Sequence, residues 1–184
     1  EQMGNKMQKA REAFLEMWSD VLADREGNKE LLDWLEHSGF FTAPASARHH
    51  MAYEGGLCEH TVNVANNAVE LMMNLHAFRH CTMKAVVVAA LLHDICKVGS
   101  YEETKDGYKS NGGLCLGHGE GSVIIAQRFI KLTEAETYAI RWHMGAYTGE
   151  RDWNTASKVF DEYPEALCVH MADMIATHHD EVGR

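Results

Sequence analysis

His93 and Asp94 stand side by side at the end of the most apolar stretch of the chain, Ala89-Ala90-Leu91-Leu92-His93-Asp94-Ile95-Cys96-Lys97. A carboxylate beside a buried helix face has to be paired, hydrogen-bonded or bound to a cation. The negative end of a helix makes an unpartnered one costlier still. A bound metal ion resolves both costs, as does an Asp turned to solvent beside a core histidine. Two distant residues add weight to the metal. His60 follows Gly55-Gly56-Leu57-Cys58-Glu59 and shares a helix face with Val64 and Asn67. Asp173 is a carboxylate inside the apolar stretch Leu167-Cys168-Val169-His170-Met171-Ala172-Asp173-Met174-Ile175, where a charge needs a partner. Imidazole and carboxylate donors from three helices make a mixed N/O site that suits a divalent transition ion such as Mn, Fe, Zn, Ni or Co, with no thiolate required.

The elements that must position these residues are helical. Lys6 to Asp24 carries apolar residues near a 3.6-residue period, and Gly27 breaks it. Leu31, Leu32, Trp34 and Leu35 predict a short second helix ending near Gly39, followed by a loop from Phe40 to Gly55. Gly55-Gly56 opens a long helix, Leu57 to Leu75, with Val62, Ala65, Val69 and Met72 as its apolar stripe. Thr82 to Cys96 is apolar almost all round and predicts a buried central helix, ended by Gly99. Asp106-Gly107 within 100–110 predicts a small two-stranded hairpin. A glycine-rich loop from Asn111 to Gly121 leads into a helix from about Glu120 to Lys131. Thr133 and Glu136 form a capping box for a helix reaching about Met144. Gly145 to Tyr163 reads as a connection, and Pro164 opens a last helix to about His178. The expected fold class is all-α: one domain over 1–184, with the helices of 1–40 packing on a core at 50–178.

The order His, His-Asp, distant Asp resembles the HD superfamily of metal-dependent phosphohydrolases, at His60, His93-Asp94 and Asp173. Gly55-Gly56-Leu57-Cys58-Glu59-His60-Thr61 is similar to a segment of HD domains in some bacterial exoribonucleases, as is Leu91 to Val98, with Cys96 where glycine is usual. The resemblance covers roughly His49 to Ile175. It implies an HD-type helical bundle that hydrolyses a phosphoester through a metal-activated water, with His60, His93, Asp94 and Asp173 as ligands and Asp94 orienting the water. It also implies that His118 and His143 line the cleft. They would either complete a second metal site bridged through Asp94 or touch the substrate phosphate, so one or two ions are expected. Lys97 is implied to face the phosphate. Arg141, two residues before His143, is a second candidate phosphate contact or a solvated residue. Glu59 either orients a histidine ligand or is a first-turn helix acid. His49-His50 suggests a substrate-side role, and His170 either supports the site or sits in the core. His37, His76, His80, His178 and His179 read as surface residues.

Composition narrows the partners. The chain has 184 residues, enough for one domain of the common 100–200 range. Its net charge of -10 disfavours long nucleic acid, whose phosphates an acidic surface repels. A nucleotide or other small phosphorylated substrate therefore fits better than a polymer. Two rival functions stay open: an exoribonuclease or other nucleic-acid phosphodiesterase, and a non-catalytic, metal-bound ligand-sensing domain. The longest apolar run, Ala85 to Leu92, falls far short of the roughly 20 residues of a membrane span. No signal peptide is visible. Five scattered cysteines (58, 81, 96, 115 and 168) without a CxxC pair argue against a disulfide scaffold and for a reducing cytoplasm. There is no Ser-His-Asp, Cys-His or P-loop pattern. These patterns leave the oligomeric state undetermined.

Overall fold

The computed structural model describes residues 2–112 and 116–182. Helices α1 (Gln2–Leu22), α2 (Asn28–Ser38), α3 (Gly56–Asn74), α4 (Met83–Leu92), α5 (His118–Ala126), α6 (Glu134–Trp142), α7 (Trp153–Glu162) and α8 (Pro164–Ile175) are joined by short turns and one antiparallel hairpin. The fold is the expected all-α bundle. Cys115, singled out from the sequence, lies outside the described residues; Cys58, Cys81, Cys96 and Cys168 are free. Among the described residues no helix is long and apolar enough to cross a membrane.

Helix α4 is the axis. Every residue from Ala85 to Leu92 is buried, as its all-round apolar character requires. Helices α1, α3, α6 and α8 pack around it. On α1, Ala10, Phe14, Trp18 and Val21 form the buried stripe, and Phe14 meets Phe40 and Phe41 in an aromatic cluster with ring centroids 5.1 and 5.4 Å away. The two N-terminal helices thus contribute side chains to the same core as α3, α4 and α8.

Four stretches differ from the sequence expectation. Helix α4 ends at Leu92, not Cys96, because His93 Nδ1 takes up the Ala90 carbonyl at 2.7 Å and Asp94 leaves helical geometry (φ -117, ψ 14). A 3-10 turn, Ile95–Lys97, follows. Helix α5 starts at His118 and ends at Ala126, earlier at both ends than expected. The 145–163 connection contains α7, whose Ala156 and Val159 are buried, while α7 packs on α8. Trp153, Ala156, Val159 and Phe160 fall at i, i+3, i+6 and i+7, an amphipathic spacing that fits this helix and that the reading of 145–163 as a connection passes over. Finally, α8 stops at Ile175 and continues as a π turn, Ala176–Asp180, closed by Glu181 N to Ala176 O at 3.0 Å.

The hairpin forms where Asp106-Gly107 placed it, with β1 (Tyr101–Thr104) paired to β2 (Gly107–Ser110) and Gly107 at φ 114. The capping box at Thr133 and Glu136 also forms, and Arg25 reinforces it by a two-pronged pair with Glu136 at 2.6 and 2.8 Å.

Candidate functional site

His60 lies on the first turns of α3, His93 and Asp94 on the turn after α4, His143 just past the end of α6, and Asp173 on α8. The fold brings all five to one point. His60 Nε2 is 3.3 Å from His93 Nε2, 3.3 Å from Asp173 Oδ1 and 3.6 Å from Asp94 Oδ2. His93 Nε2 is 3.2 Å from Asp94 Oδ2, and His143 Nε2 is 3.6 Å from Asp94 Oδ1. His60 and His93 are fully buried, with Asp94 3% and His143 1% exposed, so water cannot satisfy these groups freely.

The far side of each imidazole fixes its tautomer. Carbonyl oxygens only accept, so His93 Nδ1 donates to Ala90 O and His143 Nδ1 donates to Ile140 O, both at 2.7 Å. A carboxylate likewise only accepts at Glu181, whose two oxygens lie 3.0 Å from His60 Nδ1. In its neutral form each ring therefore presents its Nε2 lone pair to the centre, where two carboxylates also point, and without a cation the His60 Nε2 carries a proton toward Asp173 instead. Asp94 Oδ1 and His143 Nε2 have no hydrogen-bond partner although both are buried. Facing acceptors in a dry pocket are unfavourable unless a cation sits between them. Nitrogen and oxygen donors in this number and spacing fit a divalent metal ion. The two sets His60, His93, Asp173 and His93, Asp94, His143 each offer three donor atoms within 4.8 Å of one another.

The same demand for positive charge sets the protonation equilibria. Burial lowers the His60 pKa, yet hydrogen bonds to Asp173 and Glu181 overcome it and raise the value to about 9. His143 goes the other way, to about 4, through burial and then the neighbouring His93. Burial works against the Asp94 carboxylate, but Lys97, His93 and His143 hold it well below its usual range. Asp173 is also depressed, burial being outweighed by His60. Lys97 Nζ sits 2.6 Å from Asp94 Oδ2 with 12% of its side chain exposed, and this pairing raises its pKa against burial. It comes from the 3-10 turn rather than from a continuing helix, with the same result of placing it beside Asp94.

His118 is exposed at the start of α5, and its ring nitrogen lies within 4.8 Å of an Asp94 oxygen and of Cys96 Sγ. Gly119 permits this approach, because a Cβ there would collide with the Arg141 carbonyl. Arg141 itself is 2.5 Å from Glu120, lies over the Trp142 ring, and borders a separate hollow with His118. His170 braces the site from behind by donating to the His143 carbonyl at 2.7 Å, and its ring packs on Gly145. His50 rests against His60 with ring centroids 4.9 Å apart, while His49 is exposed. His37, His76, His80, His178 and His179 are exposed, as expected.

Glu59 does not orient a histidine: it pairs with Lys6 at 2.7 Å and accepts from Tyr53 at 2.8 Å, because the first turn of α3 turns it toward α1. Its supposed role falls to Glu181, which the sequence did not point to. Asn63, one turn along α3 from His60, donates to Glu181 at 3.0 Å and steadies it. An acid beyond the last apolar stretch, here next to Asp180, carries no signal, since its position depends on the π turn.

Beside Lys97 a cavity of about 590 Å³ opens between the hairpin and the 39–54 loop, with Tyr53, Tyr101 and Tyr108 among its walls.

The chain is 31% identical over 103 residues to the dihydroneopterin 2′,3′-cyclic phosphate phosphodiesterase of Methanocaldococcus jannaschii, a match covering 48% of this chain and only 41% of that relative's length. No solved structure gives a match. A family model described as HD domain matches residues 57–178, from the first turn of α3 through Asp173 into the π turn. With its histidines and aspartates gathered inside that span, the chain belongs to the HD domain family.

Proposed function

We propose that this protein is a metal-dependent phosphohydrolase acting on a small phosphoester, with cyclic phosphates and nucleotides as the first classes to test. The observation that carries this reading is the convergence of three imidazole Nε2 atoms and two carboxylates on one buried point, with Asp94 Oδ1 and His143 Nε2 unpartnered. His60, His93, Asp94 and Asp173 hold the ion. His143 and His118 flank the outer side of Asp94, where they either complete a second ion site or meet the phosphate. A divalent ion bound there supplies Lewis acidity, which brings the pKa of water down toward neutrality and draws charge from a phosphoryl oxygen. The chain's own groups do the rest. Asp94 is positioned to orient the attacking water by accepting its hydrogen bond. The Lys97 ammonium, at the junction of cluster and cavity, neutralises charge that builds on the phosphoryl oxygens. Where His118 meets the phosphate rather than a second ion, it is the exposed group placed beside a departing oxygen. Arg141 reaches a phosphate only by giving up its pair with Glu120.

The substrate class follows from charge and precedent together. A net charge of -10 disfavours polyanions. The matching relative is named for cleaving a cyclic phosphate, a diester closed on one small molecule. The test is elemental analysis of the purified protein, then a phosphoester panel with Mn, Fe, Co, Ni, Zn and Mg. The panel should include nucleoside 2′,3′-cyclic phosphates, monophosphates and RNA. Alanine at His60 or Asp94 is expected to abolish metal content and turnover together. Full metal retention in both variants refutes the ligand assignment, and metal-loaded protein that cleaves nothing on the panel refutes the hydrolase.

A further inference from the structure

The cavity beside Lys97 has a composition that hydrolysis alone does not require. In the hairpin, Tyr101 pairs with Ser110 and Glu103 with Tyr108. Strand alternation puts 101 and 103 on one face, and directly opposed residues share a face, so Tyr101, Glu103 and Tyr108 present together. All three line the cavity. Across from them stands Tyr53, whose hydroxyl is fixed by Glu59 at 2.8 Å and Lys6 at 3.1 Å. These contacts anchor its hydroxyl end, leaving the ring to line the cavity. Lys97 forms the inner end, 2.6 Å from Asp94. Glu54 and Glu103, both exposed, lie along the outer part.

We propose that this cleft is the subsite for the planar heteroaromatic ring of the substrate, which stacks among Tyr53, Tyr101 and Tyr108 while its phosphate lies at Lys97 and the histidine-aspartate cluster. The inference rests on the phosphoester reading above and narrows it to esters of the mononucleotide kind. A volume of about 590 Å³ is within the range of small-molecule sites. Aromatic walls hold a flat ring through its π-face, with little regard to which ring it is. The two outer carboxylates repel a further phosphate and accept N–H groups on the ring edge, so a mononucleotide is favoured over an oligonucleotide.

The test compares guanosine 5′-monophosphate with ribose 5-phosphate by equilibrium titration of the metal-loaded protein. Wild type is expected to prefer the ring-bearing ligand by roughly 5- to 150-fold, the range of one stacked base. The double variant Tyr101→Ala/Tyr108→Ala is expected to bring that ratio close to one, and Tyr108→Phe to keep it. Equal affinities in wild type, or an unchanged ratio in the double variant, overturn the subsite. A metal-loaded protein that shows the preference but cleaves no ester keeps the subsite and loses the hydrolase. Equal kcat/KM on ring-bearing and ring-free esters does the reverse.

Discussion

Replacing Glu181 separates the orientation of a ligand from the ligand itself. Both carboxylate oxygens lie 3.0 Å from His60 Nδ1 and the Glu181 side chain is fully buried, so the contact is undiluted by water. It fixes which His60 nitrogen carries hydrogen and adds electron density to the Nε2 that faces the cluster. Losing such a supporting group costs about 10–100-fold in metal affinity, or about 1.4–2.7 kcal/mol. Glu181→Gln retains an acceptor oxygen and an Asn63 contact but not the charge, so about tenfold is expected. Glu181→Ala removes both and belongs at the upper end. The assay is competition for the ion against a chelating dye, with kcat measured at saturating metal. Turnover should return close to wild type once the site is filled, because Glu181 touches neither water nor substrate. Affinity within twofold of wild type in Glu181→Ala, alongside complete loss in His60→Ala, refutes the reasoning.

Lys97→Met should leave metal content intact and lower kcat by about 10²–10³, the cost of losing one stabilising group for developing charge; unchanged kinetics remove its role. Arg25→Met leaves the buried Glu136 carboxylate unpaired, with side-chain exposures of 15% and 1% in the native pair. About 3 kcal/mol of stability should be lost, seen as a drop in Tm of roughly 6–12 °C with metal binding unaffected. Below the unfolded value of 6.5, the His60 interactions stabilise the metal-free protein in full, and that contribution disappears as pH rises through about 9. The Tm of the metal-free protein should therefore fall across that window, while metal affinity rises by about tenfold per pH unit as the competing proton is lost. A pH-independent affinity between 6.5 and 9 refutes the link.

The centre of the site was legible because its demands are written in local sequence. A His-Asp pair at the end of a stretch with no polar face, and an Asp within apolar α8, are anomalies wherever the chain folds. The capping box at Thr133 and the Asp-Gly turn at 106–107 are equally local. What stayed hidden depends on geometry that builds up over distance. Glu59 and Glu181 are both acids near the His60 ring in sequence or in space, and the helical phase alone decides which one meets it. The end of α4 was misplaced because the His93 ring competes for a main-chain carbonyl, which the apolar pattern does not encode. The tyrosine cleft joins residues 53, 101 and 108 across a loop and a hairpin, a closeness no periodicity announces.

The π turn after α8 gives this dependence a physical form. Asp173 must face inward from α8 to meet His60 Nε2, and Glu181 must reach the opposite nitrogen of the same ring, Nδ1. A regular helix advances 100° per residue, so eight residues carry the chain through 800°, a net rotation of 80°. That would put the two carboxylates on neighbouring parts of one face. The widened turn at Ala176–Asp180, closed by an i to i+5 bond, changes the phase and lets the chain pass around the imidazole rather than alongside it. One ring is thereby gripped from both sides by a single segment. The site and the C-terminal turn are therefore one unit, and an ion bound by His60 and Asp173 also holds that turn in place, adding about 4 kcal/mol of stability at a thousand times its dissociation constant.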